Sequence, residues 1–164
     1  MPLARWIHRF LAAVLVMGGG LGVLFGVLLT WSLASEDWQA VGLALSFAAL
    51  FVWPLSVGVL LWQGNRRARL LAMVLFASQI PILQLPWLSA HWFSGLSVAL
   101  MFRPGVALSN DALSLSVGSG GELQWATAAS QTGVGLNIFA VLALVMLLVL
   151  KTTCKTTRDV VQTA

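Results

Sequence analysis

Long apolar runs alternate with short polar segments along this chain. An α-helix needs about 20 apolar residues to cross the hydrocarbon core of a bilayer. By this measure four spans are predicted, over residues 10–33, 38–62, 70–88 and 131–150. The first two contain no charged residue, and only a short polar segment separates them, so a helical hairpin is expected. The third is interrupted by Pro81 and Pro86, which weaken a helix.

The segment 89–130 between the third and fourth spans has a different period. Its apolar residues alternate with small or polar ones, which is typical of β-strands. The alternating apolar residues are Leu96, Val98, Leu100, Phe102, Leu113, Leu115 and Val117. Turns are predicted at Arg103-Pro104-Gly105 and at Gly118-Ser119-Gly120-Gly121, where Pro and Gly favour chain reversal. Three or four short antiparallel strands are therefore expected. The helix ends, the bilayer surface or a partner would have to cover their apolar face.

The predicted fold is an all-α membrane protein. It is a four-transmembrane-helix bundle in a single domain, residues 1–164, with a small antiparallel β-segment in the outer loop 89–130. Composition agrees, because 59% of the residues are hydrophobic, 9% are charged and the mean hydropathy is +0.93. A soluble domain draws about a quarter of its residues from the charged types. Disordered chains, coiled coils and disulfide scaffolds need more charge or more cysteine than this chain has.

The basic residues predict the orientation of these spans. Eight of the nine lie beside the two termini or between the second and third spans, namely Arg5, Arg9, Arg66, Arg67, Arg69, Lys151, Lys155 and Arg158. Since basic residues stay on the cytoplasmic side, both termini are predicted to be cytoplasmic. The net charge of +4 therefore reports orientation, and no nucleic-acid partner is expected. A multi-pass protein of the bacterial inner membrane fits best, because the chain has one cysteine and no glycosylation sequon.

A cleaved signal peptide is the alternative interpretation of the N-terminal run. Arg5 and Arg9 precede it, and the small-residue pattern at Ser32-Leu33-Ala34 resembles a cleavage site. Signal sequences have apolar regions of about 7 to 15 residues, and this run is longer. A retained helix is therefore expected, which the intact mass of the protein would test.

Gly18, Gly22 and Gly26 recur every four residues and form one smooth stripe along the first predicted helix. Such small-residue stripes allow close backbone approach between helices. They are candidate helix-packing positions. Another helix of the same chain or a second copy of the chain would pack against them.

Three amide side chains are predicted to lie inside the spans: Gln79, Gln84 and Asn137. In hydrocarbon an amide seeks an interhelical hydrogen bond, and Asn137 is a candidate partner for Gln84. Lining a polar path is the alternative role. No Asp, Glu, Lys, Arg or His lies well inside a span, which argues against a proton-coupled pump.

Aromatic residues and one histidine cluster near the predicted helix ends. The candidate interfacial anchors are Trp6, Trp31, Trp38, Trp62, Trp87, His91 and Trp92. His91, with Trp neighbours, is alternatively a contact for a quinone head group. The chain's other histidine, His8, is predicted on the opposite side of the membrane. No metal site, cofactor or enzyme activity is therefore expected.

The expected function is that of a non-enzymatic inner-membrane protein, an accessory, assembly or immunity-type subunit. Its outer β-segment would serve for packing or for docking a partner. The expected partners are the lipid bilayer and either another membrane protein or a second copy. A small homo-oligomeric transporter or channel is the alternative, followed by a quinone-linked membrane enzyme that uses His91.

Overall fold

A computed structural model describes residues 2–33, 38–85, 88–103, 113–125 and 132–149 of the chain. In chain order the elements are α1 (Pro2–Leu33), α2 (Trp38–Trp62), α3 (Arg66–Ser78), β1 (Pro81–Leu85), β2 (Leu88–Phe102), β3 (Leu113–Trp125), β4 (Gly133–Asn137) and α4 (Ile138–Val149). The fold therefore combines four helices with an antiparallel sheet. The all-α four-helix bundle is not confirmed, because the sheet is a substantial part of the molecule. The antiparallel β-structure expected between the third and fourth predicted spans is present, and β1 and β4 extend it into both of those spans.

The two long helices, α1 and α2, are continuous apolar rods. By length and composition both could cross a membrane, since an 18-residue window within Ala4–Leu33 has a mean hydropathy of 2.3 and one within Trp38–Trp62 has 2.1. Glycines on α1 let the two helices approach closely. A Cβ on Gly22 would overlap the ring of Phe51, and one on Gly26 would overlap Ala48.

The third predicted span, residues 70–88, is wrong beyond Ser78. Helix α3 has 13 residues, begins at an N-cap where the Asn65 side chain accepts from the Arg67 N–H, and ends at the C-cap Gln79. Pro81 follows as the first residue of β1. Proline has no N–H to continue a helix, but it is tolerated at the start of a strand. The helix thus has 13 residues and includes only the first half of the predicted span.

The fourth predicted span, residues 131–150, is wrong at its start for a related reason. Residues Gly133–Asn137 form β4, and the helix begins only at Ile138. Gly133 and Gly135 disfavour a helix through their backbone entropy. They suit β4, because a Cβ on Gly135 would overlap the sulfur of Met101 on the neighbouring strand.

The sheet has the strand order β1-β4-β2-β3, and all pairs are antiparallel. Strand β1 also pairs with the start of β2, while β4 pairs with the end of β2, so β1, β2 and β4 form a closed ring of pairings. This ring requires a sharp bend in β2. Gly95 and its partner Gly118 on β3 supply it, with φ of 95° and 123°.

The predicted turn at Gly118-Ser119-Gly120-Gly121 is therefore wrong, because β3 runs through it without reversing. These glycines allow a bend where a turn was expected. Most of the other predicted turn, Arg103-Pro104-Gly105, lies outside the described residues.

Helix α1 packs against the short helices along one half of its length and against the sheet near its middle. Short helices α3 and α4 pack on one half of the α1–α2 pair, in a cluster of buried residues that includes Leu15, Val57, Phe76 and Leu147. The bend of β2 packs near the middle of α1, where Gly95 contacts Gly18. The sheet thus lies alongside α1 and not beyond its end.

Candidate functional site

The strand register divides the sheet into two faces with different chemistry. One face, which we term the aliphatic face, carries large apolar side chains from β2, β3 and β4 that are opposite one another in the ladders. Its exposed members are Leu100, Phe102, Leu113, Leu115, Val117, Val134 and Leu136. Their exposed fractions run from 41% to 74%, so the described part of the protein leaves this face largely uncovered.

On β4 and the second half of β2 the opposite face is mostly buried and carries mainly small or polar residues. On the edge strand β3 the same face is open, because Ser114 is exposed and Ser116 is half-buried. In β4 the glycines and Asn137 are buried, whereas Val134 and Leu136 between them are 52% and 51% exposed. Ser97 on β2 is also buried. A water-facing antiparallel sheet normally buries its apolar face and exposes its polar one. This sheet has the inverse pattern, which is typical of strands whose outer face meets lipid.

Strand β3 lies at the edge of the sheet. It pairs with β2 over 13 residues, from Leu113 opposite Leu100 to Trp125 opposite Leu88. Among the described residues no strand pairs with its other side. The stretch 113–117, Leu-Ser-Leu-Ser-Val, has neither the Pro nor the charged side chains that usually protect an edge strand.

A buried polar junction forms where α3 passes into β1 and β4 passes into α4. Gln79 and Asn137 belong to it, and we include in the name the buried Ser94 of β2; all three are at most 1% exposed. The backbone N–H of Asn137 donates to the Ile80 carbonyl at 2.9 Å, which joins the two passages directly. Asn137 Oδ1 accepts from the N–H groups of Val98 and Ala140, both at 3.3 Å. Asn137 therefore caps α4 and holds β2 against it.

Several polar atoms of this junction have no partner among the described residues. They are both amide atoms of Gln79, Ser94 Oγ and Asn137 Nδ2. The expected contact between Gln84 and Asn137 is not formed, because Gln84 is opposite Gly133 and Asn137 is opposite Ala99. Neither Gln84 nor Asn137 lies inside a helix, so their assignment to spanning helices is wrong. Gln79 is at a helix end.

The structure also places the glycine stripe. Gly22 and Gly26 face α2, while Gly18 faces the backbone of β2 at Gly95. At these positions the close neighbours belong to the same chain. The sequence analysis did not predict a role for Gly95. The one indication in the sequence is that this glycine directly precedes the alternating apolar residues that begin at Leu96.

Four predicted interfacial residues, Trp6, Trp31, Trp38 and Trp62, are exposed at the ends of α1 and α2. Trp87 lies outside the described residues. His91 and Trp92 are half-buried residues of β2 and not of a helix, and their interfacial role stays a prediction.

The chain matches no known protein family, curated protein or solved structure. Within the residues that the structure describes, no group of three His, Cys, Asp or Glu side chains could hold a metal ion.

Trp92 connects the sheet to helices α2 and α3. Its ring stacks on Trp53 at a centroid distance of 6.4 Å and meets the edge of Phe51 at the same distance. Its Nε1–H donates to the Ser78 carbonyl at 3.1 Å, which satisfies a carbonyl at the end of α3. This contact lies beside the middle of α2 and fixes the sheet against it.

Trp92→Phe is expected to destabilise the protein by about 1–2 kcal/mol, because it removes this hydrogen bond and part of the stacking. The thermal midpoint in detergent, followed by circular dichroism, would measure the loss. Trp31→Phe is the matched control, since Trp31 is 85% exposed and its substitution should leave the midpoint unchanged. Equal midpoints for the two variants would contradict the role given to Trp92.

Proposed function

We propose that this chain is a non-enzymatic, multi-pass protein of the bacterial inner membrane that acts as an accessory, assembly or immunity-type subunit. In this proposal α1 and α2 cross the bilayer, and both termini are cytoplasmic. Support comes from the two long apolar helices and from the basic residues that gather on one side of them.

The observation that carries the proposal is the edge of β3, which pairs with no other strand among the described residues and lies beside an exposed aliphatic face. Backbone N–H and C=O groups without partners cost several kcal/mol each in an apolar environment. A strand donated by another membrane protein would satisfy them, as in other cases of β-strand addition. The fitting partner presents an extended apolar segment. The sheet would thus serve both for packing on α1 and for docking.

Photo-crosslinking from β3 would test this docking role. A photoreactive amino acid at Leu115 is expected to give one adduct of defined mass in intact membranes. Ser114→Lys and Ser116→Lys should remove that adduct, because charged side chains on an edge strand oppose strand addition. The same amino acid at Leu43, which is 73% exposed on α2, is the control and should not give this adduct.

The docking role would be contradicted if Leu115 gave no adduct in correctly inserted protein. It would also be contradicted if the two lysine variants left the adduct unchanged. Alkaline extraction of the same membranes would report insertion separately, so a soluble product would remove the membrane location itself.

A small homo-oligomeric transporter or channel is the second candidate. The buried polar junction favours it, because Gln79 and Asn137 bury amide groups and Ser94 buries a hydroxyl where β2 meets the middle of α1. This candidate predicts a defined homo-oligomer in native mass spectrometry and a flux into liposomes that Gln79→Leu changes. A monomeric protein without flux would remove it.

A further inference from the structure

We infer that the acyl chains of the bilayer cover the aliphatic face, so that the sheet is embedded in the half of the membrane away from the N-terminus. The inference rests on the proposed membrane location of α1 and α2. It concerns what surrounds the sheet, because a membrane location of α1 and α2 does not determine whether the sheet lies in lipid or in water.

The depth of the sheet follows from two contacts with the long helices. Gly95, at the bend of β2, touches Gly18, which is close to the midpoint of the 32-residue helix α1. Trp92 stacks on Trp53, which lies well inside the 25-residue helix α2. If these helices cross a hydrocarbon core of about 30 Å, the bend of the sheet lies near its centre.

The lengths of the short elements fit this depth. Helices α3 and α4, with 13 and 12 residues, extend about 20 Å and 18 Å, which is too short to cross the core. The five-residue strands β1 and β4 each add about 17 Å. Each helix with its strand can therefore cover the thickness that one long helix would cover.

The chemistry of the aliphatic face matches the surface of the helices beside it. The face contains no charged residue, and α1 exposes Leu21, Leu24, Phe25 and Leu28 beyond Gly18, each between 46% and 58%. On β2 and β4, Ser97 and Asn137 are buried behind this face. Lipid that surrounds α1 would therefore meet side chains of the same apolar kind on the sheet.

Acyl chains fit this face better than a protein partner does. The face extends over β2, β3 and β4, whereas a docked strand at the β3 edge would cover only the margin of the sheet. Lipid in contact with α3 would also contact β1, which follows it, and lipid in contact with α4 would also contact β4, which precedes it. A partner strand at the edge and lipid on the face therefore complement each other.

Spin-label accessibility would test the inference in the full chain. A Cys154→Ser background would carry Leu115→Cys on β3 or, as the helix control, Leu24→Cys, and each variant would be labelled and reconstituted into phosphatidylethanolamine and phosphatidylglycerol vesicles. Collision with oxygen reports lipid, and collision with a water-soluble nickel chelate reports water. We expect the label at Leu115 to match the one at Leu24, with frequent oxygen and rare nickel collisions. Val134→Cys on β4 provides a second position if the first variant does not fold.

The other outcomes separate this inference from the proposed function. Frequent nickel collisions on the sheet, with oxygen collisions at Leu24, would overturn the embedding of the sheet and leave the membrane location of α1 intact. Frequent nickel collisions at both positions would remove both proposals. Rare collisions with both reagents on the sheet would show protein cover, with dipolar broadening if a second copy supplies it, and would also overturn the inference.

Discussion

Gly18→Ala is expected to destabilise the protein by about 3 kcal/mol or more. A Cβ at this position would overlap the backbone nitrogen and Cα of Gly95, so a flexible side chain cannot move to relieve the clash. The β2 backbone at that point has a positive φ of 95°, and Gly118 opposite it has one too. The bend is therefore held in a conformation that side-chain-bearing residues rarely adopt, and it has little freedom to shift.

Gly20→Ala is the matched control on the same helix. No atom lies within 4 Å of a Cβ built there, so the substitution creates no clash. Alanine favours the helix over glycine by about 0.8–1 kcal/mol, and the thermal midpoint should stay level or rise. Tryptophan fluorescence during heating in detergent would measure both variants. Equal midpoints for Gly18→Ala and Gly20→Ala would contradict the contact between α1 and the bend of β2.

The two amides of the buried junction are expected to respond to substitution with opposite signs. Asn137→Ala should destabilise by about 1–3 kcal/mol, because the N–H groups of Val98 and Ala140 lose the oxygen that accepts from them. Gln79→Met keeps a similar volume and removes two buried amide atoms that lack partners. It should therefore stabilise by about 1–3 kcal/mol.

Chemical denaturation of the two variants in the same detergent would measure both free energies of unfolding. Ser94→Ala should also stabilise the protein, by less than Gln79→Met does. The reason is the same, since Ser94 Oγ is buried without a partner among the described residues. A loss of stability in Gln79→Met would contradict the unpartnered state. It would indicate that the amide binds a molecule in the junction, which would favour the transporter candidate.

The long helices could be predicted from the sequence because their apolar runs exceed what any strand needs. The predicted bounds of the second span, 38–62, agree with α2. Residues 79–88 were more difficult, because a short apolar run such as Ile82-Leu83 suits a buried helix as well as a strand. Pro81 was interpreted as a kink, whereas it marks the start of β1. Only the tertiary pairing of Pro81 with Leu136 distinguishes the two outcomes.

The candidate site was predicted in part. The period of two at Leu113, Leu115 and Val117 predicted β-structure correctly, and β3 contains all three residues. It could not show that these side chains stay exposed, because alternation has the same form whether the apolar face points inward or outward. The junction of Gln79, Ser94 and Asn137 depends on strand register, which the sequence does not specify at glycine-rich positions.

The ring of pairings among β1, β2 and β4 has a consequence for how the chain is made. Pro81 leaves the ribosome 55 residues before Leu136, its partner across the ladder, so one side of β1 stays open while that intervening chain is synthesised. If α1 and α2 cross the bilayer as we propose, α3 is too short to insert alone, and the second half of the protein would enter the bilayer as one unit. In that case a nascent chain that stops before Gly133 would retain only the α1–α2 hairpin as an inserted product.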